Sequence, residues 1–126
     1  MSASKRVLIV DDAALVRAYY RQALERAGYE VDEALNGLEG LEKVLMQPFD
    51  LAIVDVNMPQ MDGMTFIRTL REKELPTSTI ATLVTSTEAK EQDIVAARVA
   101  GANFYLTKPM SQEKLIEHVM LLCGAA

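Results

Sequence analysis

Short apolar runs rich in β-branched residues recur five times along the chain, and each is followed by a stretch with helical spacing. Val7 to Val10 opens the series: four apolar residues in a row are too few for a helix and suit a strand covered on both faces. Ala13 to Ala27 carries Leu15, Tyr19 and Leu24 at near-helical spacing, and Gly28 stands where a helix C-terminus favours glycine. Tyr29 to Ala34 reads as a second strand, and Leu38, Leu41 and Leu45 mark a helix stopped by Gln47-Pro48. Leu51 to Val54, Ile80 to Val84 and Phe104 to Leu106 are the remaining expected strands, with Phe104 expected to face the core. Met64 to Glu72, Glu88 to Ala100 and Leu115 to Leu122 are the helices expected after them; Gly101 ends the second and Ser111 caps the last. Five βα units in series predict an α/β fold, a five-stranded parallel sheet with helices on both faces. A single domain accounts for all 126 residues, and a chain of this length can bury a core without covalent staples.

The polar residues collect at the strand ends. The first strand runs into Asp11-Asp12, the third into Asp55, the fourth into Thr85-Ser86 and the fifth into Thr107-Lys108. A parallel sheet puts these ends on one edge, where open α/β folds bind their ligands. One pocket is therefore expected to hold three carboxylates, a hydroxyl and an ammonium. Carboxylates so close repel and raise one another's pKa unless a cation intervenes. An all-oxygen set of this kind suits Mg²⁺. Carboxylate, cation, lysine and hydroxyl together point to phosphoryl transfer, with Asp55 as nucleophile.

Three stretches then match a known family in order and separation: VLIVDD, DVNMPQMDG and YLTKP. They resemble the response-regulator receiver domain of two-component signalling, most of all its single-domain chemotaxis, CheY-like, type. The resemblance spans nearly the whole chain and implies a flavodoxin-like (βα)5 fold with strand order 2-1-3-4-5. It implies that Asp55 is the phosphoacceptor, that Asp11 and Asp12 hold Mg²⁺ with Asp55, and that Asn57 adds its backbone carbonyl. Lys108 would pair with Asp55 and then with the phosphoryl group, and the Lys108–Pro109 peptide would be cis. Tyr105 matches the family's aromatic switch. The segment LVTSTEAKE departs from the usual single hydroxyl followed by a small residue. In a regular strand Thr85 and Ser86 face opposite sides. The family's spacing back from Lys108 selects Ser86, with Thr85 as the alternative, and puts Glu88 beside the pocket.

The implied function is a phosphorylation-activated switch, with phosphoryl chemistry on itself and no turnover of an external substrate. A sensor histidine kinase would supply the phosphoryl group. A protein target would bind the face made by the fourth helix, fifth strand and fifth helix. The rival readings are a Mg²⁺-dependent phosphohydrolase with an aspartyl nucleophile, a flavodoxin-like mononucleotide binder, or a phosphorelay receiver cut from a DNA-binding regulator. The hydrolase would want a general acid where Asn57 stands, and the mononucleotide binder a phosphate loop where Asp11-Asp12 would repel the ligand. A net charge of −5 argues against direct nucleic-acid binding, and no apolar stretch suits membrane insertion. The single Cys123 and the start MSASKR, which lacks a leader's apolar run, suggest a cytoplasmic protein, expected to be a monomer. Tyr19, Tyr20 and the seven methionines read as filling, and His118 as an ordinary helix residue.

Overall fold

The computed structural model describes residues 4–126; residues 1–3, the start of MSASKR, lie outside the described residues. Among the described residues strands and helices alternate. The order is β1 (Arg6–Val10), α1 (Ala14–Arg26), β2 (Glu30–Ala34), α2 (Gly37–Met46), β3 (Leu51–Asp55), α3 (Gly63–Arg71), β4 (Ala81–Ser86), α4 (Glu91–Ala100), β5 (Phe104–Thr107) and α5 (Gln112–Cys123). Every strand pairing is parallel, in the order β2-β1-β3-β4-β5. The order and the parallel pairing are those of the flavodoxin-like (βα)5 fold that the resemblance implies.

Two apolar layers sandwich the sheet. Leu8, Val10, Ala52, Val54 and Val84 pack under Val44 of α2, Phe66 and Leu70 of α3 and Ala97 of α4. Val7, Ile9, Ile53, Leu83 and Leu106 face Tyr20 and Leu24 of α1 and Leu115 and Val119 of α5. The central strands β1 and β3 are buried on both sides, which is why their sequences are unbroken apolar runs. Edge strands β2 and β5 are only partly covered. Helix ends follow local chemistry. Ser111 accepts a hydrogen bond from the Lys114 amide at 3.0 Å, and Gly101 turns the chain at φ +114° after α4.

Several expected details shift. In α1 the buried residues are Tyr20, Ala23 and Leu24, while Leu15 is 87 % exposed. In α2 the buried positions are Gly37, Gly40 and Val44; Leu41 packs against the core as expected, while Leu38 and Leu45 point outward. The reason is close packing: a Cβ on Gly40 would stand 2.9 Å from the Phe66 ring. Phe104 lies at the rim of the edge strand, 44 % exposed, stacked on His118 at 4.9 Å between ring centres. Strand β4 continues through Thr85 and Ser86. Helix α4 starts at Glu91 instead of Glu88, because the Glu88 backbone is engaged by side chains, its amide by Ser86 Oγ and its carbonyl by Tyr105.

Candidate functional site

The carboxyl edge of the sheet gathers the residues that the strand ends deliver. Asp11 follows β1, Asp55 closes β3 and Lys108 follows β5. The Lys108 ammonium bridges the two acids, 3.0 Å from Asp11 Oδ2 and 3.1 Å from Asp55 Oδ1. Both carboxylates are buried, and Asp12 beside them is exposed. Asp11 is held at both oxygens, since its Oδ1 accepts from the Ala13 amide at 2.9 Å. Its backbone carbonyl accepts from Arg17 at 2.7 Å. The Lys108–Pro109 peptide is cis, as is Leu75–Pro76, which the sequence reading did not single out.

The charges in this cluster act on one another. Burial pushes the Asp55 carboxyl above the usual aspartate range; Asp11 adds to that and Lys108 opposes it. Burial would lower the Lys108 ammonium, but its hydrogen bond to Asp11 and the charges of Asp11 and Asp55 carry it upward. Asp11, Asp12 and Asp55 each offer an oxygen within 4.8 Å of the others. Three carboxylates against one ammonium leave negative charge in excess, and the donor set is all oxygen. These residues fit a hard divalent cation such as Mg²⁺.

The loop after β3 shapes the mouth of the site. Asn57 is exposed there, Gln60 takes a positive φ of 72°, and Asp62 caps α3 by accepting from the Thr65 amide at 2.8 Å. Gly63 opens that helix directly against Asp55, and a Cβ there would strike the Asp55 carbonyl oxygen. Gly63→Ala is therefore expected to cost about 1–3 kcal/mol of stability in urea denaturation, the usual scale of overpacking. A cost indistinguishable from zero would show that the loop yields freely.

The two hydroxyls of β4 part company. Ser86 Oγ accepts from the Glu88 amide at 3.0 Å, and Ser86 lines a cavity of about 130 Å³ with Val56, Asn57, Met64, Glu88 and Tyr105. Tyr105 donates to the Glu88 carbonyl at 2.7 Å. Thr85 shares its parity with Leu83, on the side of α1 and α5, and is fully buried. Its Oγ1 has no hydrogen-bond partner among the described residues. Tyr20, read from the sequence as filling, is buried in the layer on that side.

Comparison with known proteins agrees with this geometry. Residues 7–120 match the response regulator receiver domain family. The chain is 40 % identical over 118 residues to the sensor protein EvgS of Escherichia coli (strain K12), covering 92 % of this chain and 9 % of EvgS. It is 36 % identical over 121 residues to the transcriptional regulatory protein ResD of Bacillus subtilis (strain 168), covering 96 % of this chain and 49 % of ResD. The chain thus spans half or less of these curated relatives. Its fold superposes on the chemotaxis protein CheY4 of Vibrio cholerae with a TM-score of 0.89 at 33 % identity, covering 95 % of this chain and 99 % of that one. No helix among the described residues is long and apolar enough to cross a membrane. The acid cluster at the strand ends, the parallel sheet that builds it and the match over residues 7–120 agree: the chain belongs to the response regulator receiver domain family of two-component signalling.

Proposed function

We propose that the domain is a phosphorylation-driven switch in which Asp55 accepts a phosphoryl group from the phosphohistidine of a sensor histidine kinase. The observation that carries this reading is the Lys108 ammonium set between Asp55 and Asp11 at the carboxyl edge of the sheet. An Asp55 carboxylate oxygen attacks phosphorus in line, so an O–P bond forms as the P–N bond breaks. The electron pair of that bond leaves with the imidazole, which takes a proton from solvent. Lys108 already touches Asp55 Oδ1 and can follow the charge onto the transferring oxygens. Mg²⁺ held by Asp11, Asp12 and Asp55, with the Asn57 backbone carbonyl, would supply the divalent charge that neutralises those oxygens.

The switch itself would run through Ser86 and Tyr105. A Ser86 hydroxyl turned toward the phosphoryl group releases the Glu88 amide, whose loop also holds the Tyr105 hydroxyl. Such a change propagates only because the phosphoryl group favours one of two arrangements. Asn57 and Glu88 flank the approach of the water that later hydrolyses the acyl phosphate, and they would set its lifetime. The face of α4, β5 and α5 would carry the output to a protein target. It displays Val95, Val99, Phe104 and Leu121 to solvent. The likeness to the chemotaxis protein CheY4 of Vibrio cholerae supports a chemotaxis-like role in which the output passes to a protein. The half-buried free thiol of Cys123 suits the cytoplasm, where the kinase's phosphohistidine would be met.

Incubation with Mg²⁺ and a small acyl-phosphate donor, followed by intact-protein mass measurement, tests this. A single phosphoryl adduct is expected, absent from Asp55→Asn. An undiminished adduct in that variant, or steady turnover of a phosphate ester with no adduct, would overturn the reading.

A further inference from the structure

The first acid of the site is held by its backbone as well as by its side chain, and the group that holds the backbone takes no part in the phosphoryl chemistry. Arg17 donates from Nη1 to the Asp11 carbonyl at 2.7 Å and from Nε to Glu33 Oε1 at 2.7 Å. Arg21, one helical turn further along α1, donates to the other oxygen, Glu33 Oε2, at 2.6 Å. Glu33 thus meets two arginines with its two oxygens, and Arg21 is steadied in turn by Glu25 at 2.9 Å. The Arg17 side chain is only 12 % exposed, so solvent ions screen this linkage little.

What Arg17 grips is the peptide unit between the two acids. The Asp11 carbonyl and the Asp12 amide lie in one plane, so fixing the carbonyl fixes the direction in which Asp12 leaves. The other sides of this turn are already engaged. The Asp11 amide donates to the Ala34 carbonyl at 3.1 Å, and Asp11 Oδ1 accepts from the Ala13 amide at 2.9 Å. Lys108 takes Oδ2. Asp12 is exposed, with little packing to fix its side chain, so its place beside Asp11 and Asp55 depends on that peptide.

We propose that Arg17, anchored by Glu33 of β2, is a positioning residue for the acid cluster: it sets the Asp11–Asp12 peptide so that both carboxylates reach the same cation as Asp55. This role rests on the reading of Asp11, Asp12 and Asp55 as the Mg²⁺ site. Arg17 touches neither the cation nor the phosphoryl group; it acts through a carbonyl. A guanidinium suits the task because its planar fork holds two acceptors at once in fixed geometry, which one ammonium cannot do. Groups that orient metal ligands are worth about 10–100-fold in metal affinity. The link also ties an edge strand to the site: β2 gives no acid to the cluster, yet its Glu33 supports the two acids that follow β1.

Calorimetric titration of the full chain with Mg²⁺ at pH 7 tests this without any phosphoryl donor. Arg17→Met is expected to bind Mg²⁺ about tenfold more weakly than the parent, the lower end of that range. Arg17→Lys keeps the charge without the fork and should recover little of the loss. Glu33→Gln should weaken binding about threefold, the scale of one net hydrogen bond. It should add nothing to Arg17→Met, because both act through one carbonyl. In adduct formation the half-saturating Mg²⁺ concentration should rise by the same factors, while the rate at saturating Mg²⁺ stays unchanged. Parent affinity in Arg17→Met or Glu33→Gln, full recovery in Arg17→Lys, or losses that multiply in the double variant would overturn the positioning role. So would a lowered melting temperature with unchanged Mg²⁺ affinity, the mark of a purely structural part. Should Arg17→Met fail to fold, Glu33→Gln, which keeps an acceptor for both arginines, decides alone. Asp12→Asn is run alongside. Parent-like Mg²⁺ binding in that variant, or no binding by the parent, defeats the Mg²⁺ site itself. Binding that depends on Asp12 together with an unaffected Arg17→Met defeats only the role of Arg17.

Discussion

Lys108→Met is expected to be among the most destabilising single changes at neutral pH, costing about 3 kcal/mol in urea denaturation, the scale for removing one partner of a buried ion pair. Methionine keeps most of the stem and removes the ammonium. Two carboxylates then face each other with side chains only 2 % and 11 % exposed, after losing bonds of 3.0 and 3.1 Å. The lysine is the influence that lowers the Asp55 pKa in the parent, so its loss pushes that carboxyl still further up. The sign of the pH dependence follows. A carboxyl raised in the folded state favours folding while it is protonated, and that advantage disappears as pH rises through its folded value. The deficit of Lys108→Met should therefore be largest near pH 7 and shrink toward about pH 4, where carboxyls begin to protonate. Equal stability of variant and parent at pH 7 would show that the bridge contributes nothing to the fold. Adduct formation should also be slowed in this variant, because the cation nearest the acceptor is gone.

What the sequence disclosed follows from which constraints are local. Strands β1 and β3 were legible because burial on both faces demands unbroken apolar runs, and the parallel alternation sends their ends, with Asp11 and Asp55, to one edge. The face of α1 was not legible. Ala13, Ala14, Leu15, Val16, Ala18, Tyr19 and Tyr20 surround the helix with apolar side chains, so spacing alone selects no side. In α2 two glycines share the contact with Val44 and Leu41, and a hydrophobic pattern does not count glycines. Phe104 alternates correctly with Tyr105, yet at the edge strand its ring stays 44 % exposed and stacks on His118. Arg71 shows the same limit for polar groups. Its guanidinium donates to the carbonyls of Ser78, Ile80 and Gly101, tying α3 to the segments around β4 and the turn after α4, and nothing adjacent in sequence announces it. The cluster of Asp11, Asp12, Asp55 and Lys108 could be read from topology. The two buried layers behind it are set by contacts between residues far apart in sequence.

Asp55→Asn is expected to make the domain more stable without Mg²⁺ and less stable than the parent with it. The parent holds Asp55 above the ordinary aspartate range, chiefly by burial and then by Asp11, so the ionised carboxylate opposes folding at neutral pH despite Lys108. Asparagine fills nearly the same volume without a charge, and a gain of about 0.5–2 kcal/mol is usual where one substitution relieves a site kept for function. By the same sign rule the gain is present at pH 7 and vanishes below the unfolded carboxyl's value of about 3.9, where the parent is protonated too. A cation bound only to the folded state stabilises by about 2.7 kcal/mol at a hundredfold excess over its dissociation constant. The parent offers that cation three carboxylates within 4.8 Å, and the variant offers two. Melting curves at pH 7 should therefore cross: Asp55→Asn melts higher in chelator, and the parent melts higher in saturating Mg²⁺. An unchanged order in the two conditions would mean that the acids are not the Mg²⁺ site. A parent already more stable in chelator would mean that Lys108 neutralises Asp55 fully, leaving no electrostatic excess for a metal to relieve.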